Sequence, residues 1–201
     1  MRVNVAEHLP KNERIQLGSY YTPEELVLRI YDFIKPYLDN KKRKVVIFDS
    51  AGGCGAFLFG ITHYDYRIAD CDLDACKLLK QHFSQQNVFH TNSLIEVNRA
   101  KYFISPSAFL IMIGNPPYND TTSEFKNGEK GQNICDEDLY DRDLYDRDLG
   151  VSFLKSYHKL KADIVCVLHP LSYLIKESNF KRLRDFKDNY KLIKGEIFSS
   201  A

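Results

Sequence analysis

Short apolar segments rich in β-branched residues alternate with amphipathic segments along the chain, and this alternation restricts its fold more than any other feature. Strands are predicted at residues 44–49, 66–70, 87–90, 109–115 and 163–170, and residues 191–198 are predicted to form one more strand or a hairpin around Gly195. Helices are predicted at residues 23–34, with Thr22 as the N-cap and Pro23 in the first position, and at residues 72–83, 150–161 and 178–190. This order predicts a doubly wound α/β domain, with a mostly parallel sheet and helices on both faces. In such sheets ligands bind at the carboxyl ends of the strands, so functional residues are expected there.

The composition fits a single reduced, cytoplasmic domain. The 201 residues carry 28 Lys and Arg against 27 Asp and Glu, which is too balanced a charge for a domain that holds a nucleic acid by itself. No apolar run reaches the roughly 18 residues that cross a bilayer, and the N-terminus lacks the apolar region of a secretion signal, so no membrane partner is expected. The five cysteines form no CxxC pair, and no cluster of ligands indicates a metal.

Residues 119–148 interrupt the alternation. They are polar, and the sequence DLYDR occurs twice in tandem, at 138–142 and 143–147. A period of five matches neither a helix nor a strand, so the repeat builds no continuous apolar face. Residues 136–148 contain seven acids and two arginines. This composition predicts a mobile, solvated acidic loop, and a lid that orders on binding is the alternative.

A glycine-rich turn follows the first predicted strand, and a helix is expected after it. Gly52, Gly53 and Gly55 let the backbone turn sharply and approach a ligand where a Cβ would collide. The turn lacks the third glycine of the dinucleotide-binding pattern. Asp70 and Asp72 lie at the end of the next strand, about where an acid would bind ribose hydroxyls. Asp70 is the better candidate for the ribose, because Asp72 is at least as well suited to cap the following helix.

The segment Asn115-Pro116-Pro117-Tyr118 follows the fourth predicted strand. The two prolines fix their own φ, remove two backbone donors and restrict the residue before each of them, which makes a stiff turn. The turn presents the Asn115 side-chain oxygen and the Pro116 carbonyl as fixed acceptors, with the Tyr118 ring beside them. Two acceptors and an aromatic face suit an amine attached to a flat ring. An ordinary turn that closes a strand is the alternative, although this combination is far more restrictive than a Pro-Pro pair.

These motifs resemble those of the S-adenosylmethionine-dependent DNA adenine-N6 methyltransferases of the gamma arrangement, a type found in restriction–modification systems. The similar segments are GSYYTP (18–23), FDSAGGCGAFL (48–58), IADCDLDA (68–75), HTNSL (90–94), IGNPPYND (113–120), DLGVSFL (148–154) and IVCVLHPLSYL (164–174). They cover nearly the whole chain in the order and spacing of that family. The resemblance implies a Rossmann-like methyltransferase catalytic domain over residues 1–201, and a target-recognition domain beyond residue 201.

The resemblance also implies the residues of the site. S-adenosylmethionine is the implied cofactor, and the residues implied to bind it are Tyr21, Thr22, Asp49, Gly53, Gly55, Asp70, Cys71, Asn92 and Asn115. Asn115, Pro116 and Tyr118 are implied to be catalytic, since they would bind the amine and ring of an adenine flipped out of double-stranded DNA. A restriction or specificity subunit is an implied partner.

The chain departs from the family's pattern at three positions. Ser50 replaces a proline and Cys54 replaces a serine, and neither residue blocks the glycine-rich turn. The thiol of Cys54 adds a group that alkylating reagents could attack. Asn92 replaces an aspartate, and it keeps an amide oxygen that can accept a hydrogen bond from the adenine amine of the cofactor, but without charge. Weaker recognition of the adenine is therefore expected.

Two other functions stay open. A protein glutamine-N5 methyltransferase would resemble the chain in the glycine-rich turn and the NPPY motif, but it is not expected to contain GSYYTP. A non-catalytic subunit or fragment of a restriction–modification complex is the second alternative, and the intact Asn115, Pro116 and Tyr118 argue against it. His90 and His169 follow predicted strands and are expected to pack or form hydrogen bonds rather than act as bases.

Overall fold

The computed structural model describes residues 22–40, 42–117 and 140–198. Within these ranges, parallel strands form a five-stranded sheet in the order β3-β2-β1-β4-β5. The strands are β1 (Val45–Asp49), β2 (Asp65–Asp70), β3 (Val88–His90), β4 (Phe109–Gly114) and β5 (Ile164–Val167). Each of the five predicted strands is therefore found, with its ends shifted or shortened.

Helices precede β1, follow β5, and connect β2 to β3 and β4 to β5. They are α1 (Glu24–Leu38), α2 (Leu73–His82), α3 (Leu149–Lys159), α4 (Ser172–Ile175), α5 (Glu177–Arg182) and α6 (Arg184–Asn189), and short 3₁₀ turns cover Gln85–Asn87 and Ala100–Tyr102. Among the described residues, no helix is long and apolar enough to cross a membrane.

The sheet separates two apolar cores, because successive residues of a strand point to opposite faces. On one face, Ile47, Ile68 and Ile111 pack with Ile34 of α1 and Leu79 of α2. All five side chains are fully buried. This face holds the helices that precede and follow the first two strands.

The other face of the sheet packs against α3 and the segment between β3 and β4. Phe48 and Met112 lie in this core together with Val151 and Tyr157 of α3. The ring of Tyr102 lies 4.5 Å from that of Phe48, centroid to centroid. With helices on both faces of a parallel sheet, the predicted doubly wound α/β fold is confirmed.

The start of α1 differs from its prediction. Pro23 occupies the N-cap, and no side chain caps the helix. The backbone N–H groups of Leu26 and Val27 donate to the Pro23 carbonyl, while Thr22 is buried. The prediction that Thr22 caps this helix is therefore wrong, because the Pro23 carbonyl closes the first turn.

Two segments near the end of the chain also differ. Residues 178–190 form α5 and α6 instead of one helix, because Leu183 between them leaves the helical conformation and buries its side chain. Residues 191–198 form no strand. They contact α1 instead. Glu196 forms an ion pair with Arg29, and the Lys194 ammonium lies 4.4 Å from the centroid of the Phe33 ring. The predicted strand or hairpin is wrong, because contacts with a helix replace backbone pairing.

The described part of the acidic stretch packs against the domain. Leu144 is 2% exposed and belongs to the core beside α3. Asp141 accepts hydrogen bonds from two backbone N–H groups and pairs with Lys159 at 2.8 Å. Asp146 pairs with basic side chains of α3 and α5, and Asp148 caps α3.

The prediction of a solvated loop is therefore wrong for residues 140–148. Their acids do not simply repel one another, since backbone N–H groups and cations from neighbouring elements neutralise them. Residues 119–139 of the predicted loop lie outside the described residues.

Candidate active site

The carboxyl ends of β1 to β4 bring the predicted site residues to one edge of the sheet. Asp49 ends β1, Asp70 ends β2, and Asn115 follows β4. Asn92 lies two residues beyond the end of β3. The chain builds β2 and β3 on one side of β1 and then β4 and β5 on the other. The ligand crevice of such a sheet lies at this switch point, which here is between β1 and β4.

The glycine-rich turn needs glycine at two positions for different reasons. Gly55 has a φ of +79°, and a Cβ there would lie 2.5 Å from the Phe83 ring. Gly53 has a φ of +50°, but a Cβ there would meet nothing within 4 Å. Gly55 therefore lets the turn close on α2, whereas the backbone at Gly53 borders open space that a ligand can approach.

The turn is not followed by the expected helix. Residues 56–64 form consecutive turns, with Leu58 N–H donating to the Gly55 carbonyl. The hydroxyl of Tyr31 on α1 donates to the Phe57 carbonyl and accepts from Gly60 N–H. This side chain satisfies backbone groups that a helix would have paired, so the expectation of a helix here is wrong.

Asp70 and Asp72 play different parts, as the sequence predicts. Asp72 caps α2 by accepting hydrogen bonds from the N–H groups of Asp74 and Ala75, so the predicted cap is confirmed. Asp70 accepts from Gly53 N–H at 2.7 Å and from Asp72 N–H at 2.9 Å. Burial raises the pKa of the Asp70 carboxyl. Asp70 therefore fastens the glycine-rich turn to the end of β2, a role that the sequence did not indicate.

Asp49 is a buried carboxyl, and no described residue forms an ion pair with it. Its Oδ1 accepts a 3.2 Å hydrogen bond from Ala51 N–H, and its Oδ2 has no hydrogen-bond partner within the described residues. Burial is the main cause that raises the pKa of Asp49 to about 7, and the charge of Asp70 adds to it. A Cβ at Gly114 would lie 2.7 Å from Asp49 Oδ1. A glycine before Asn115 therefore lets the end of β4 close on this carboxyl.

The side-chain oxygen of Asn115 lies at the turn that follows β4. This Oδ1 is buried and accepts no hydrogen bond from any described residue. The backbone around it is held, because Leu168 N–H donates to the Gly114 carbonyl at 3.0 Å and Pro116 is buried. Tyr118, the third predicted catalytic residue, lies outside the described residues.

Asn92 has its side chain turned the opposite way from the expectation. Its Oδ1 accepts a 2.9 Å hydrogen bond from Leu94 N–H, and its Nδ2 is buried without a partner in the described part of the chain. The segment is anchored on both sides: Thr91 N–H donates to the Asp70 carbonyl, and the Ser93 hydroxyl donates to the Ser50 carbonyl. The atom that Asn92 leaves for a ligand is a donor.

Three buried polar atoms that no described residue satisfies therefore lie along one edge of the sheet. They are Oδ2 of Asp49, Nδ2 of Asn92 and Oδ1 of Asn115. Buried polar groups are nearly always satisfied, and an unsatisfied one costs about 1–3 kcal/mol. Polar ligands bound across the ends of β3, β1 and β4 would satisfy all three.

The two departures in the glycine-rich turn are accommodated. The Ser50 hydroxyl is buried and donates to the Tyr157 hydroxyl at 3.3 Å. Burial raises the pKa of the Cys54 thiol, which disfavours the thiolate that alkylating reagents attack. Neither side chain opposes the observed turn.

The remaining candidates are less informative. Burial lowers the pKa of His169 to about 4, and its ring packs 4.5 Å from that of Tyr173, as expected of a packing residue rather than a base. Cys71 is exposed, and its carbonyl contacts His90. No hydrogen bond links Thr22 to the other site residues within the described ranges. Tyr21 lies outside them.

Sequence reasoning missed two supporting residues, Gly114 and Ser93. In the pairing of β4 with β1, Asp49 lies opposite Ile113, so the next residue, Gly114, lies against the Asp49 carboxyl. Ser93 matters because its hydroxyl joins the end of β3 to the start of the glycine-rich turn. A glycine directly before Asn115 was the only signal, and the strand order was needed to interpret it. In the described ranges, no group of three or more His, Cys, Asp or Glu is placed to hold a metal ion.

Comparison with known proteins extends these observations. The model of the Eco57I restriction-modification methylase family matches residues 36–200. A search of curated proteins finds no match.

Three solved structures are similar to the chain. The match to the DrdV–DNA complex has a TM-score of 0.51 at 16% sequence identity, and it covers 86% of this chain and 22% of the DrdV chain. A protein from Listeria monocytogenes assigned to the class I S-adenosylmethionine-dependent methyltransferases has a TM-score of 0.52 at 15% identity, with 88% and 59% covered. A type I restriction-modification methyltransferase subunit from Streptococcus thermophilus has a TM-score of 0.44 at 14% identity, with 83% and 38% covered.

The chain thus spans only part of the length of these proteins: 38% of the Streptococcus subunit, 22% of DrdV and 59% of the Listeria protein. At such low identity, the likeness to DrdV and to the Listeria protein is one of fold. The family match is more specific, since it extends over most of the chain and includes the glycine-rich turn, Asp70 and the Asn-Pro-Pro turn. The chain belongs to the Eco57I restriction-modification methylase family.

Proposed function

We propose that the chain is the catalytic domain of an S-adenosylmethionine-dependent methyltransferase that modifies the N6 amine of adenine in DNA, as part of a restriction–modification system. One observation carries the proposal: the buried Asn115 Oδ1 accepts no hydrogen bond from a described residue, at the end of the strand that pairs with β1. A fixed acceptor in that place suits an amine that enters the crevice beside the glycine-rich turn.

The residues at the edge fit the proposed cofactor. The Asp49 carboxyl is buried and pairs with no cation of a described residue, so it suits the ammonium group of the methionine part. Asp70 keeps lone pairs for ribose hydroxyls beside its two backbone hydrogen bonds. The open space at Gly53 leaves room for the ligand between them. Tyr21, Thr22, Gly55, Cys71 and Asn92 complete the proposed binding set.

The proposed catalysis requires no nucleophilic side chain. S-adenosylmethionine, when bound, supplies a methyl group on a positively charged sulfur. The N6 lone pair of adenine is delocalised into the ring, which makes the amine a poor nucleophile. Asn115 Oδ1 and the Pro116 carbonyl would accept the two N–H groups of that amine and favour a pyramidal nitrogen as positive charge develops. Their contribution is positioning and electrostatic preorganisation.

The base has to leave the duplex to reach Asn115. A flipped base needs a surface to stack on, and Tyr118 directly follows the Asn-Pro-Pro turn in the sequence. The nearly balanced charge of the chain supports a recognition domain or a specificity or restriction subunit as the part that holds and reads the DNA. The similar DrdV structure contains DNA, which agrees with this proposal.

The proposal is tested by single-turnover methylation of DNA by the chain together with the recognition domain or subunit that holds the DNA, with nucleoside mass spectrometry as the readout. We expect N6-methyldeoxyadenosine from the wild type, and a rate about 10²–10³ lower from Asn115→Ala, since one preorganised group is lost. Cofactor affinity should change less than about threefold, or about 0.7 kcal/mol. Asn189→Ala is the matched control, because Asn189 is an exposed amide on α6. Methylation of a protein glutamine instead of DNA, or a wild-type rate from Asn115→Ala, would contradict the proposal.

A further inference from the structure

The side chain of Asn92 is held in one orientation by its surroundings. Leu94 N–H needs an acceptor and finds it in Asn92 Oδ1 at 2.9 Å. A flipped amide would place two donors against each other, so the oxygen must face Leu94. The backbone is fixed as well, since the Lys101 ammonium donates to the Asn92 carbonyl at 3.0 Å. Asn92 cannot exchange its oxygen for its nitrogen without losing a hydrogen bond.

The amide nitrogen of Asn92 is the polar atom of this side chain that forms no hydrogen bond with a described residue. Its Nδ2 is buried, and no described residue accepts its two N–H groups. Two of the other buried polar atoms without partners, in Asp49 and Asn115, lie at the same edge of the sheet. Nδ2 therefore belongs to the proposed ligand site, and its ligand must offer an acceptor at this point.

The strand order places Asn92 at the end of the site farthest from Asn115. The sheet runs β3-β2-β1-β4, so Asn92, Asp70, Asp49 and Asn115 follow one another across the edge. If the reacting methyl group lies near Asn115 and the ribose near Asp70, the base of the cofactor lies beyond the ribose, beside Asn92. This step rests on the proposed function.

We propose that Asn92 Nδ2 donates a hydrogen bond to a ring nitrogen of the cofactor's adenine. Asn92 then forms no hydrogen bond with the exocyclic amine of that adenine. Adenine carries acceptors at its ring nitrogens and a donor at its amine. Nδ2 is complementary to the ring nitrogens and not to the amine. An aspartate at this position would be complementary to the amine, because its second oxygen would be an acceptor.

The test compares two inhibitors by calorimetric competition. One is S-adenosylhomocysteine, and the other is its analogue in which hydrogen replaces the 6-amino group of the purine, with every ring nitrogen kept. We expect the wild type to bind both within about threefold of each other. We expect Asn92→Asp to favour the amine-bearing inhibitor by about tenfold or more, as a charge-assisted hydrogen bond would. Melting temperatures of both proteins verify that the variant is folded.

Two outcomes would overturn the inference. One is a wild type that already favours the amine-bearing inhibitor by about tenfold, since the amine would then be read. The other is a folded Asn92→Asp protein that binds the two inhibitors in the wild-type ratio, because Asn92 would then not face the base. Failure of the proposed cofactor is separate from both, because a protein that does not use S-adenosylmethionine would not bind S-adenosylhomocysteine at all. Methylation of a protein glutamine instead of DNA is a third, distinct result, read by the methylation assay above.

Discussion

Asp49 is the single residue whose ionisation should be most sensitive to a ligand. Its pKa is raised to about 7 from an ordinary value of 3.8, chiefly by burial. The titratable groups near it include the Asp70 carboxyl, whose charge raises the pKa of Asp49 further, and the Cys54 thiol and Tyr157 phenol, whose own pKa values are raised by burial. Near neutral pH, a bound cation would therefore compete with a proton for this carboxyl.

The affinity for S-adenosylmethionine should depend on pH through Asp49. A protonated carboxyl does not pair with the ligand ammonium, so affinity should rise as pH increases towards about 7 and level off above it. The limiting slope is about tenfold per pH unit. Calorimetric titrations from acidic to mildly alkaline pH measure this profile. Asp49→Asn should bind more weakly with a flatter profile, and a sloped wild-type profile that survives in Asp49→Asn would contradict the assignment.

The same pKa shift affects folding with the opposite sign. Between pH values of about 4 and 7, folded Asp49 keeps a proton that the unfolded chain releases. The folded state then binds more protons, so this residue lowers the free energy of unfolding as pH rises through that range. Asp49→Asn should remove this component of the pH dependence of chemical denaturation.

At residue scale, the sequence indicates which residues lie at the candidate site more reliably than it indicates the hydrogen bonds that their atoms form. The cap at Asp72 could be predicted, because it depends on local backbone geometry. The orientation of Asn92 could not, since it follows from the N–H of Leu94 and from anchors at Asp70 and Ser50. Long-range contacts of this kind leave no periodic signal in a sequence.

At the scale of elements, the strands were predicted well and the connections less so. Strands such as β1 and β4 are continuous apolar runs, which is typical of a parallel sheet buried on both faces. The region after the glycine-rich turn forms turns because Tyr31 of α1 satisfies its backbone groups. Residues 191–198 have a strand-like pattern, yet they lie along α1. In each case a tertiary partner overrides a local preference.

Substitutions should distinguish the roles of Asp70, which holds the glycine-rich turn, and Asp72, which caps α2. Asp72→Ala removes the cap of α2 and should lower the free energy of unfolding by about 1 kcal/mol, with cofactor affinity nearly unchanged. Asp70→Ala leaves the N–H groups of Gly53 and Asp72 without acceptors. It should therefore reduce both stability, by about 1–3 kcal/mol, and cofactor affinity.

Urea denaturation and calorimetry of the same two variants test this difference. Asp70→Asn is the control, because its amide oxygen can still accept from one of the two N–H groups, of Gly53 or Asp72, while its amide nitrogen faces the other and its ribose hydrogen bonds lose their charge. Its recovery of stability should therefore be partial. It should recover stability better than affinity. Equal losses of affinity in Asp70→Ala and Asp72→Ala, with unchanged stability, would mean that the two roles are misassigned.

At the scale of the whole molecule, the charge distribution bears on DNA binding. Residues 176–194 contain seven Lys and Arg against three acids, but five of the seven basic side chains are engaged. Three form ion pairs and two lie over aromatic rings; they are Lys181, Arg182, Arg184, Lys187 and Lys194. The three ion pairs weaken the positive field that phosphates would meet, whereas the two lysines over aromatic rings keep their charge.

The chain by itself should therefore bind duplex DNA only weakly. We expect dissociation constants of about 10⁻⁴–10⁻⁶ M at physiological salt, as for non-specific binding, with strong weakening as salt increases. Fluorescence anisotropy with unrelated duplexes, at several salt concentrations, measures this. Nanomolar, sequence-selective binding by these 201 residues would show that they contain a recognition surface of their own.

The central claim is that the edge formed by β3, β2, β1 and β4 holds S-adenosylmethionine, and calorimetric titration of the chain with this compound tests it most directly. We predict saturable binding of one cofactor per chain, weakened by Asp70→Ala and kept within about threefold by Asn115→Ala. A chain that is folded by circular dichroism and takes up no cofactor would contradict the account, because Asp49 Oδ2 and Asn92 Nδ2 at that edge, which no described residue satisfies, would then need a different ligand.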